Sequence, residues 1–229
     1  SLTGYCLREA VSDVALKLTD PLIEELLKAS GDIIVIAGLV EESEEHLFYN
    51  SALFIDNGAL TGVQRKVFLP NYGMFEESRY FAHGASADSF ETHLGNIGIL
   101  ICEDTWHPRL AVDLADQNIK LLVNMSASPV KGIDAEYGIS NRKINYDLNL
   151  FYARTFGIPV VFANKIGYEQ GVYFWGGSAL LLPDGSREAV CSTTGEELAT
   201  ADIELKEIRR SRISFPYLRD ELSRELIQL

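Results

Sequence analysis

The residues best placed to do chemistry follow a short apolar stretch in the middle of the sequence. Ile97 to Ile101 is apolar and rich in isoleucine, which predicts a buried central strand. Cys102 comes next, and then Glu103 and Asp104, acids that rarely enter a core unless they are paired. Residues 109–115 have the apolar spacing of a helix. The pattern predicts a thiol on a sharp strand-to-helix turn, where it can act as a nucleophile.

Two other interpretations of this cysteine stay open at this point. Most free cysteines are small buried hydrophobes, and Cys102 could be one of them. A cysteine–histidine dyad would need a partner such as His107, but that arrangement leaves the segment around Lys66 unexplained. The four histidines show no metal-ligand spacing with Cys, Asp or Glu, so we expect no metal and no cofactor.

Composition limits the class of protein. The chain has 229 residues, 47% of them hydrophobic and 23% charged, which suits one ordinary globular domain. Its net charge is −13 and it has no long basic cluster, which argues against nucleic acid and anionic membranes as partners. No apolar run is long enough to span a bilayer. Three cysteines without framework spacing favour a reducing, cytoplasmic setting.

The elements that must position Cys102 alternate between strand and helix signals. Asp20 and Pro21 predict a helix start, and Asn57-Gly58 and Asp184-Gly185 predict hairpin turns. Strands are predicted at 33–39, 47–55, 63–68, 97–101, 121–125, 160–164 and 197–203, with a long helix over 134–156. This order predicts a mixed α/β architecture with sheets inside and helices outside. Lys66 falls on a predicted strand, where a lysine usually faces water.

Several blocks of sequence together resemble the nitrilase, or carbon–nitrogen hydrolase, superfamily. They are Asn50–Ala52, Arg65–Phe81, Cys102–Trp106, Phe174–Ser178 and Pro183–Gly185. The second and third blocks look most like the glutaminase domains of glutamine-dependent NAD synthetases and the stand-alone amidases near them. The resemblance runs in order over essentially the whole chain, which makes it far more specific than any single block.

The resemblance implies a four-layer α/β/β/α sandwich and a Glu-Lys-Cys catalytic triad. Carried over to this sequence, Cys102 is the nucleophile, Lys66 is the cation beside it, and Glu77 is a second, supporting glutamate. The chemistry is consistent, because a thiol attacks an amide better when a nearby positive charge lowers its pKa. Lys66 and the backbone N–H of Glu103 would also stabilise the oxyanion of the tetrahedral intermediate.

Residues around this triad are candidates for substrate binding. Tyr72 and Ser128 occupy positions that help to hold the substrate in the glutaminase domains that the sequence resembles. Trp106 and Phe174 are further candidates, although core packing explains them equally well. For Asp104 we expect a cap on the following helix.

The sequence departs from the family pattern at its start. The resemblance implies a general-base glutamate two positions upstream of Ser1, because Leu2–Tyr5 matches the stretch that follows this residue. We therefore expect one carbon–nitrogen hydrolase domain over 1–229 that is incomplete at its N-terminus. A charged tail over 207–229 is expected to be helical and to pack on a partner subunit.

The function expected from these residues is hydrolysis of a small linear amide or N-carbamoyl compound with release of ammonia. One alternative is a glutaminase subunit that supplies ammonia to a separate synthetase. Another is a non-catalytic binding protein that lacks the general base. The expected partners are a small-molecule amide and further copies of the chain, in a homodimer or a higher homo-oligomer.

Overall fold

We describe the fold from a computed structural model that covers residues 2–131, 133–134 and 138–221. The helices are α1 (Val11–Val14), α2 (Pro21–Ser30), α3 (Glu77–Tyr80), α4 (Pro108–Asp116), α5 (Ser140–Phe156) and α6 (Leu205–Ser214), with 3₁₀ turns at Arg8–Ala10 and Cys102–Trp106. The strands are β1 (Val35–Glu42), β2 (Phe48–Asp56), β3 (Ala59–Arg65), β4 (Ser89–Phe90), β5 (Ile97–Ile101), β6 (Leu121–Ser126), β7 (Ile133–Asp134), β8 (Gly138–Ile139), β9 (Val160–Asn164), β10 (Ile166–Glu169), β11 (Val172–Trp175), β12 (Ala179–Leu181) and β13 (Arg187–Glu188).

The described strands form two main sheets. β1, β2 and β3 make an antiparallel sheet, and β2 turns into β3 through Asn57 and Gly58, as the sequence predicts. The second sheet has the order β13-β12-β9-β6-β5-β4, and its central strands β9, β6 and β5 are parallel. Two antiparallel hairpins, β7-β8 and β10-β11, lie outside these sheets.

Side-chain alternation along β2 and β5 stacks the sheets and helices into four layers. Leu53 and Ile55 point from β2 toward α2, whereas Ala52 and Phe54 point toward the second sheet. Ile97, Ile99 and Ile101 of β5 pack against these last two residues. The opposite face of the second sheet packs against α4 and α5. The order α2, first sheet, second sheet, and α4 with α5 is the expected α/β/β/α sandwich.

The structure confirms most of the predicted elements and corrects several. The predicted strand over 197–203 is wrong, because these residues have no regular structure before α6 begins. The long helix begins at Ser140 and not at Asp134, which belongs to β7. β3 ends at Arg65, so Lys66 lies just beyond the strand, and it is buried, unlike most lysines on strands.

The C-terminal part of the chain is described as far as Glu221. α6 confirms that the start of the tail is helical, and residues 222–229 lie outside the described residues. Within the described ranges, no helix has the length and apolar character needed to cross a membrane.

Candidate active site

The carboxyl ends of β5, β6 and β9 meet at one edge of the second sheet and border a cavity of about 680 Å³. Cys102 follows β5, Ser126 ends β6 and Asn164 ends β9, and all of them line this cavity. The first sheet contributes Asn50 to Ala52 of β2 and, just after β3, Lys66. The cavity therefore lies between the first sheet and the carboxyl edge of the second, and open parallel strands commonly bind ligands at such an edge.

Cys102 has a backbone conformation that few residues other than glycine adopt. Its φ is +52°, in the left-handed region, and it begins the 3₁₀ turn that links β5 to α4. A left-handed residue with a side chain is strained by about 1–2 kcal/mol. This sharp turn keeps the half-buried thiol at the cavity, as the strand-to-helix pattern predicts.

Lys66 and Glu77 form a buried ion pair in the same cavity wall. The Nζ of Lys66 donates a hydrogen bond to Oε2 of Glu77 at 2.5 Å, and Lys66 is only 1% exposed. Two backbone hydrogen bonds fix the lysine: its N–H donates to Asn50, and its carbonyl accepts from Gly84. An ammonium without a partner would be very costly to bury here, so Glu77 is what allows Lys66 to stay charged.

Burial and neighbouring charges shift the pKa of Lys66 in opposite directions, and they do the same to the pKa of Cys102. Burial lowers the pKa of Lys66, but the charges of Glu77 and Cys102 and the hydrogen bond to Glu77 outweigh it, so the pKa is raised. Burial raises the pKa of Cys102, while the charge of Lys66 lowers it, and the net direction is upward. The free thiol is therefore protonated at neutral pH, and its attack on a substrate requires a base.

Tyr5 adds a contact that the sequence analysis did not identify. Its hydroxyl donates to Oε1 of Glu77 at 3.1 Å, so both carboxylate oxygens of the glutamate are occupied. Burial raises the pKa of Tyr5, and the adjacent charge of Glu77 raises it further, so the hydroxyl stays protonated as a donor. The ring of Tyr5 packs in a T-shaped arrangement against the ring of Phe174 on β11, with the ring centroids 5.5 Å apart. The partners are distant in sequence, and spacing alone could not join them.

Asp104 does not cap α4, so that expectation is wrong. Its Oδ1 accepts hydrogen bonds from the backbone N–H groups of Val67 and Phe68, and its Oδ2 accepts one from Ile101. Asp104 thus ties the segment after Lys66 to the turn that carries Cys102. Burial raises the pKa of Asp104 to about 6, against the effect of these backbone hydrogen bonds, which lower it.

The residues proposed to contact the substrate all lie apart from the described cavity lining, and they are Glu103, Tyr72, Trp106, Ser128 and Phe174. Tyr72 is exposed and donates to Oε2 of Glu103 at 2.8 Å, and Trp106 is exposed as well. The buried hydroxyl of Ser128 accepts from Nε1 of Trp175 at 3.1 Å, and Phe174 is buried against Tyr5. The structure therefore brings together Cys102, Lys66 and Glu77, and leaves Tyr72, Trp106, Ser128 and Phe174 around them.

Comparison with known proteins decides the family. The model of the carbon–nitrogen hydrolase family matches residues 1–213. The chain belongs to the carbon–nitrogen hydrolase family. It is 31% identical over 188 residues to glutamine-dependent NAD(+) synthetase from Acinetobacter baylyi, a match that covers 82% of this chain and 33% of the synthetase. It is 27% identical over 208 residues to N-carbamoylputrescine amidase from Arabidopsis thaliana, a match that covers 86% of this chain and 68% of the amidase.

A solved structure from this family has the same fold. The carbon–nitrogen hydrolase from Helicobacter pylori superposes with a TM-score of 0.78 at 26% identity, over 86% of this chain and 71% of that protein. The chain spans about a third of the length of the NAD synthetases that it matches. The family and its α/β/β/α fold thus agree with what the sequence resembles.

Proposed function

We propose that this chain hydrolyses the C–N bond of a small linear amide or N-carbamoyl compound through a thioester on Cys102. The observation that carries the proposal is that Cys102 and the buried Lys66–Glu77 pair line one cavity. A thiol beside a fixed ammonium is the arrangement that amide attack requires. Membership of the carbon–nitrogen hydrolase family supports the same class of reaction.

The proposed reaction has two stages. In the first, the Cys102 thiol gives its proton to a general base and its sulfur bonds to the amide carbon. The tetrahedral intermediate then collapses, the C–N bond breaks, and ammonia leaves with the transferred proton. In the second stage the base takes a proton from water as the water attacks the thioester, a C–O bond forms, the S–C bond breaks, and the proton returns to the sulfur of Cys102. An amide substrate then yields a carboxylic acid, and an N-carbamoyl substrate yields a carbamic acid that loses CO₂. We expect the base to be the glutamate predicted upstream of Ser1.

Lys66 has a second role in this scheme. The oxyanion of each tetrahedral intermediate needs hydrogen-bond donors that are already in place, and losing one such donor costs on the order of 3 kcal/mol. The Lys66 ammonium, pinned by Glu77 and by its backbone hydrogen bonds, can act as one donor. The backbone N–H of Glu103, the residue after the nucleophile, is proposed as the other.

Replacing Cys102 by alanine tests the nucleophile. We expect Cys102→Ala to abolish ammonia release while the fold survives, because alanine removes one small group and keeps the same backbone strain. Ammonia release is measured with candidate amides, and circular dichroism monitors the fold. Mass spectrometry of the unmodified protein should detect an acyl adduct on Cys102, and the variant should show none. Turnover near the normal rate in the variant would rule out the thioester.

A second candidate function is a glutaminase that passes ammonia to a separate synthetase. The specific support is the similarity to the glutamine-dependent NAD(+) synthetases. We expect free glutamine hydrolysis to rise when such a synthetase is added if this function is correct. An unchanged rate would favour the independent amidase.

A further inference from the structure

A buried polar side chain interrupts the apolar strand β6 just before the cavity. Asn124 lies in this strand and is only 1% exposed. A buried amide costs free energy unless its polar atoms find partners. Nδ2 of Asn124 donates a hydrogen bond to Oδ1 of Asn149 on α5 at 3.0 Å, and Asn149 is fully buried as well. The proposed reaction leaves this pair of asparagines without a role.

The direction of these hydrogen bonds follows from a backbone carbonyl. The carbonyl of Asn145 can only accept, and Nδ2 of Asn149 donates to it at 2.8 Å. Oδ1 of Asn149 is therefore the atom that accepts from Asn124. This leaves Oδ1 of Asn124 as an acceptor for the hydroxyl of Ser126, which lies 3.4 Å away. A hydrogen bond of this length is weak, so Ser126 is held by an acceptor that it can leave at little cost.

Ser126 also reaches the sulfur of Cys102. In the parallel pairing of β5 with β6, Ile101 lies opposite Met125, so Cys102 and Ser126 are the next residues along the two strands. Both residues line the cavity. Burial has the largest effect on the pKa of the Cys102 thiol and raises it, whereas hydrogen bonds from the Ser126 side chain and the Ala127 backbone lower it.

The hydroxyl of Ser126 has one proton and two acceptors within reach. While Cys102 is a thiol, its sulfur can donate to Oγ of Ser126, and the hydroxyl can donate to Asn124. A thiolate has no proton to donate and carries a charge, and hydrogen bonds to charged groups are stronger than neutral ones. The hydroxyl therefore gains free energy when it turns from Asn124 to a charged sulfur.

We propose that the Ser126 hydroxyl donates a hydrogen bond to the sulfur of Cys102 whenever this sulfur is negatively charged, and returns to Asn124 when it is neutral. The role of this bond in turnover rests on the proposed hydrolysis. The sulfur becomes charged when the base takes the thiol proton, and again when the S–C bond of the thioester breaks and its electron pair stays on sulfur. Ser126 keeps its proton in both steps. It thus adds a second stabilising group to the ammonium of Lys66.

Alkylation of Cys102 tests this hydrogen bond without any substrate. Full-length protein reacts with iodoacetamide over a range of pH, and mass spectrometry of peptides follows Cys102 separately from the other free thiols, Cys6 and Cys191. We expect Ser126→Ala to slow alkylation of Cys102 about fivefold at neutral pH, as for the loss of one hydrogen bond. The difference should shrink as pH rises, because the thiol then ionises without this bond.

Two further variants isolate the hydroxyl even if the alanine variant does not fold. Ser126→Thr and Ser126→Val introduce side chains of the same shape, and only the threonine keeps a hydroxyl. The threonine variant should react near the original rate, and the valine variant should be slow at neutral pH. Ser178→Ala is the matched control and should leave the rate unchanged, because Ser178 lines the cavity but accepts from the backbone N–H of Asn164 at 2.9 Å.

The other charged groups around the sulfur stay in place in these variants. The titratable groups that face Cys102 from other elements are Lys66 after β3, Glu77 on α3, and the hydroxyls of Tyr5 and Tyr72. A changed pH profile of alkylation therefore measures the effect of the Ser126 hydroxyl. A defect that only blocks access to the thiol would slow alkylation equally at every pH.

The outcomes separate this inference from the proposed function. An unchanged profile in Ser126→Ala, a slowing that is equal at every pH, or equal rates for the threonine and valine variants would overturn the inference. Slowing as expected, in a protein that releases no ammonia from the candidate amides, would support the inference and refute the hydrolase. Ammonia release by the original protein, with an unchanged alkylation profile in Ser126→Ala, would support the hydrolase and overturn the role of Ser126.

Discussion

The buried ion pair between Lys66 and Glu77 is the residue-scale feature with the largest energetic consequence. Each charge is tolerated only because the other is present, and Tyr5 occupies the remaining oxygen of Glu77. Lys66 also lowers the pKa of Cys102, in opposition to burial, which raises it. The lysine therefore links the stability of the fold to the reactivity of the thiol.

Lys66→Met tests both roles. We expect it to destabilise the protein by about 3–5 kcal/mol, since Glu77 is left charged and buried. We also expect alkylation of Cys102 at neutral pH to slow by about tenfold, because the variant loses the ammonium whose charge lowers the pKa of the thiol. Urea denaturation measures the first effect and iodoacetamide kinetics the second.

The double variant Lys66→Met with Glu77→Gln is the control for this prediction. It removes both charges, so it should recover much of the lost stability while alkylation stays slow. If alkylation in the single variant matches the original rate, Lys66 has no part in thiolate stabilisation.

At the scale of elements, Asp104 joins the two segments that carry the lysine and the cysteine. Its carboxylate accepts three backbone N–H groups, from Ile101, Val67 and Phe68, and it is fully buried. An asparagine could keep the bonds to Oδ1, but its NH₂ group would face the N–H of Ile101. One buried donor would then lose its acceptor, which costs about 1–3 kcal/mol.

The loss of stability caused by Asp104→Asn should depend on pH in a defined direction. The pKa of Asp104 is about 6 in the folded protein against an ordinary 3.8, so the folded state keeps this carboxyl protonated to a higher pH than the unfolded state does. The original protein therefore loses stability, on the order of 3 kcal/mol, as pH rises from about 4 through 6, and the asparagine variant lacks this loss. The stability deficit of the variant should shrink over this interval and level off above it. Urea denaturation at several pH values checks this, and a deficit that grows with pH would contradict it.

The hairpin of β10 and β11 holds the N-terminal segment through Glu169. Its Oε1 accepts from the backbone of Tyr5 and Cys6 at 2.9 and 2.7 Å. We expect Glu169→Ala to speed amide hydrogen exchange at these two residues, because their N–H groups lose their acceptor. Glu169→Gln keeps an acceptor oxygen and is the matched control. Unchanged exchange in the alanine variant would mean that the segment is held by other contacts.

At the scale of the whole molecule, the two sheets bring Lys66 and Cys102 to one cavity. The first sheet leads into Lys66 and the second into Cys102. Phe54 lies between the sheets and is fully buried. Its ring stacks on the ring of Phe90, with the ring centroids 4.6 Å apart. Packing between the sheets therefore sets the distance between the two reactive groups.

Phe54→Ala should lower the free energy of unfolding by about 3–5 kcal/mol, the usual cost of a large cavity in a core. Phe215→Ala is the control, because Phe215 is 55% exposed and its loss should have little effect. Urea denaturation compares the two variants. A similar small change in both would mean that the sheets do not depend on Phe54 for their packing.

Local patterns allowed much of this fold to be predicted. The apolar run before Cys102 and the helical spacing after it indicate the turn, and Asn57 and Gly58 indicate the hairpin, because both signals are encoded by adjacent residues. The position of Lys66 could not be predicted from its neighbours. Strand alternation says nothing about a residue just beyond the strand end, and its partner lies on α3.

The other wrong or missing predictions also come from contacts, or missing contacts, between segments that are distant in sequence. Asp104 looked like a helix cap because caps are local, whereas its real partners include Val67 and Phe68 from another segment. Tyr5 gave no signal of its own, since Glu77 is reached only in the folded chain. Residues 197–203 are predicted as a strand, but they contain Glu, Ala and Asp, which are uncommon in strands, and they pair with no described strand.

The left-handed backbone at Cys102 also has a consequence for mutation and selection. Glycine adopts this conformation at little cost, so Cys102→Gly would relieve strain that alanine and serine would keep. Laboratory evolution that rewards heat resistance alone should therefore favour glycine at this position. The side chain proposed to do the chemistry would then be among the first to disappear once selection for turnover is relaxed.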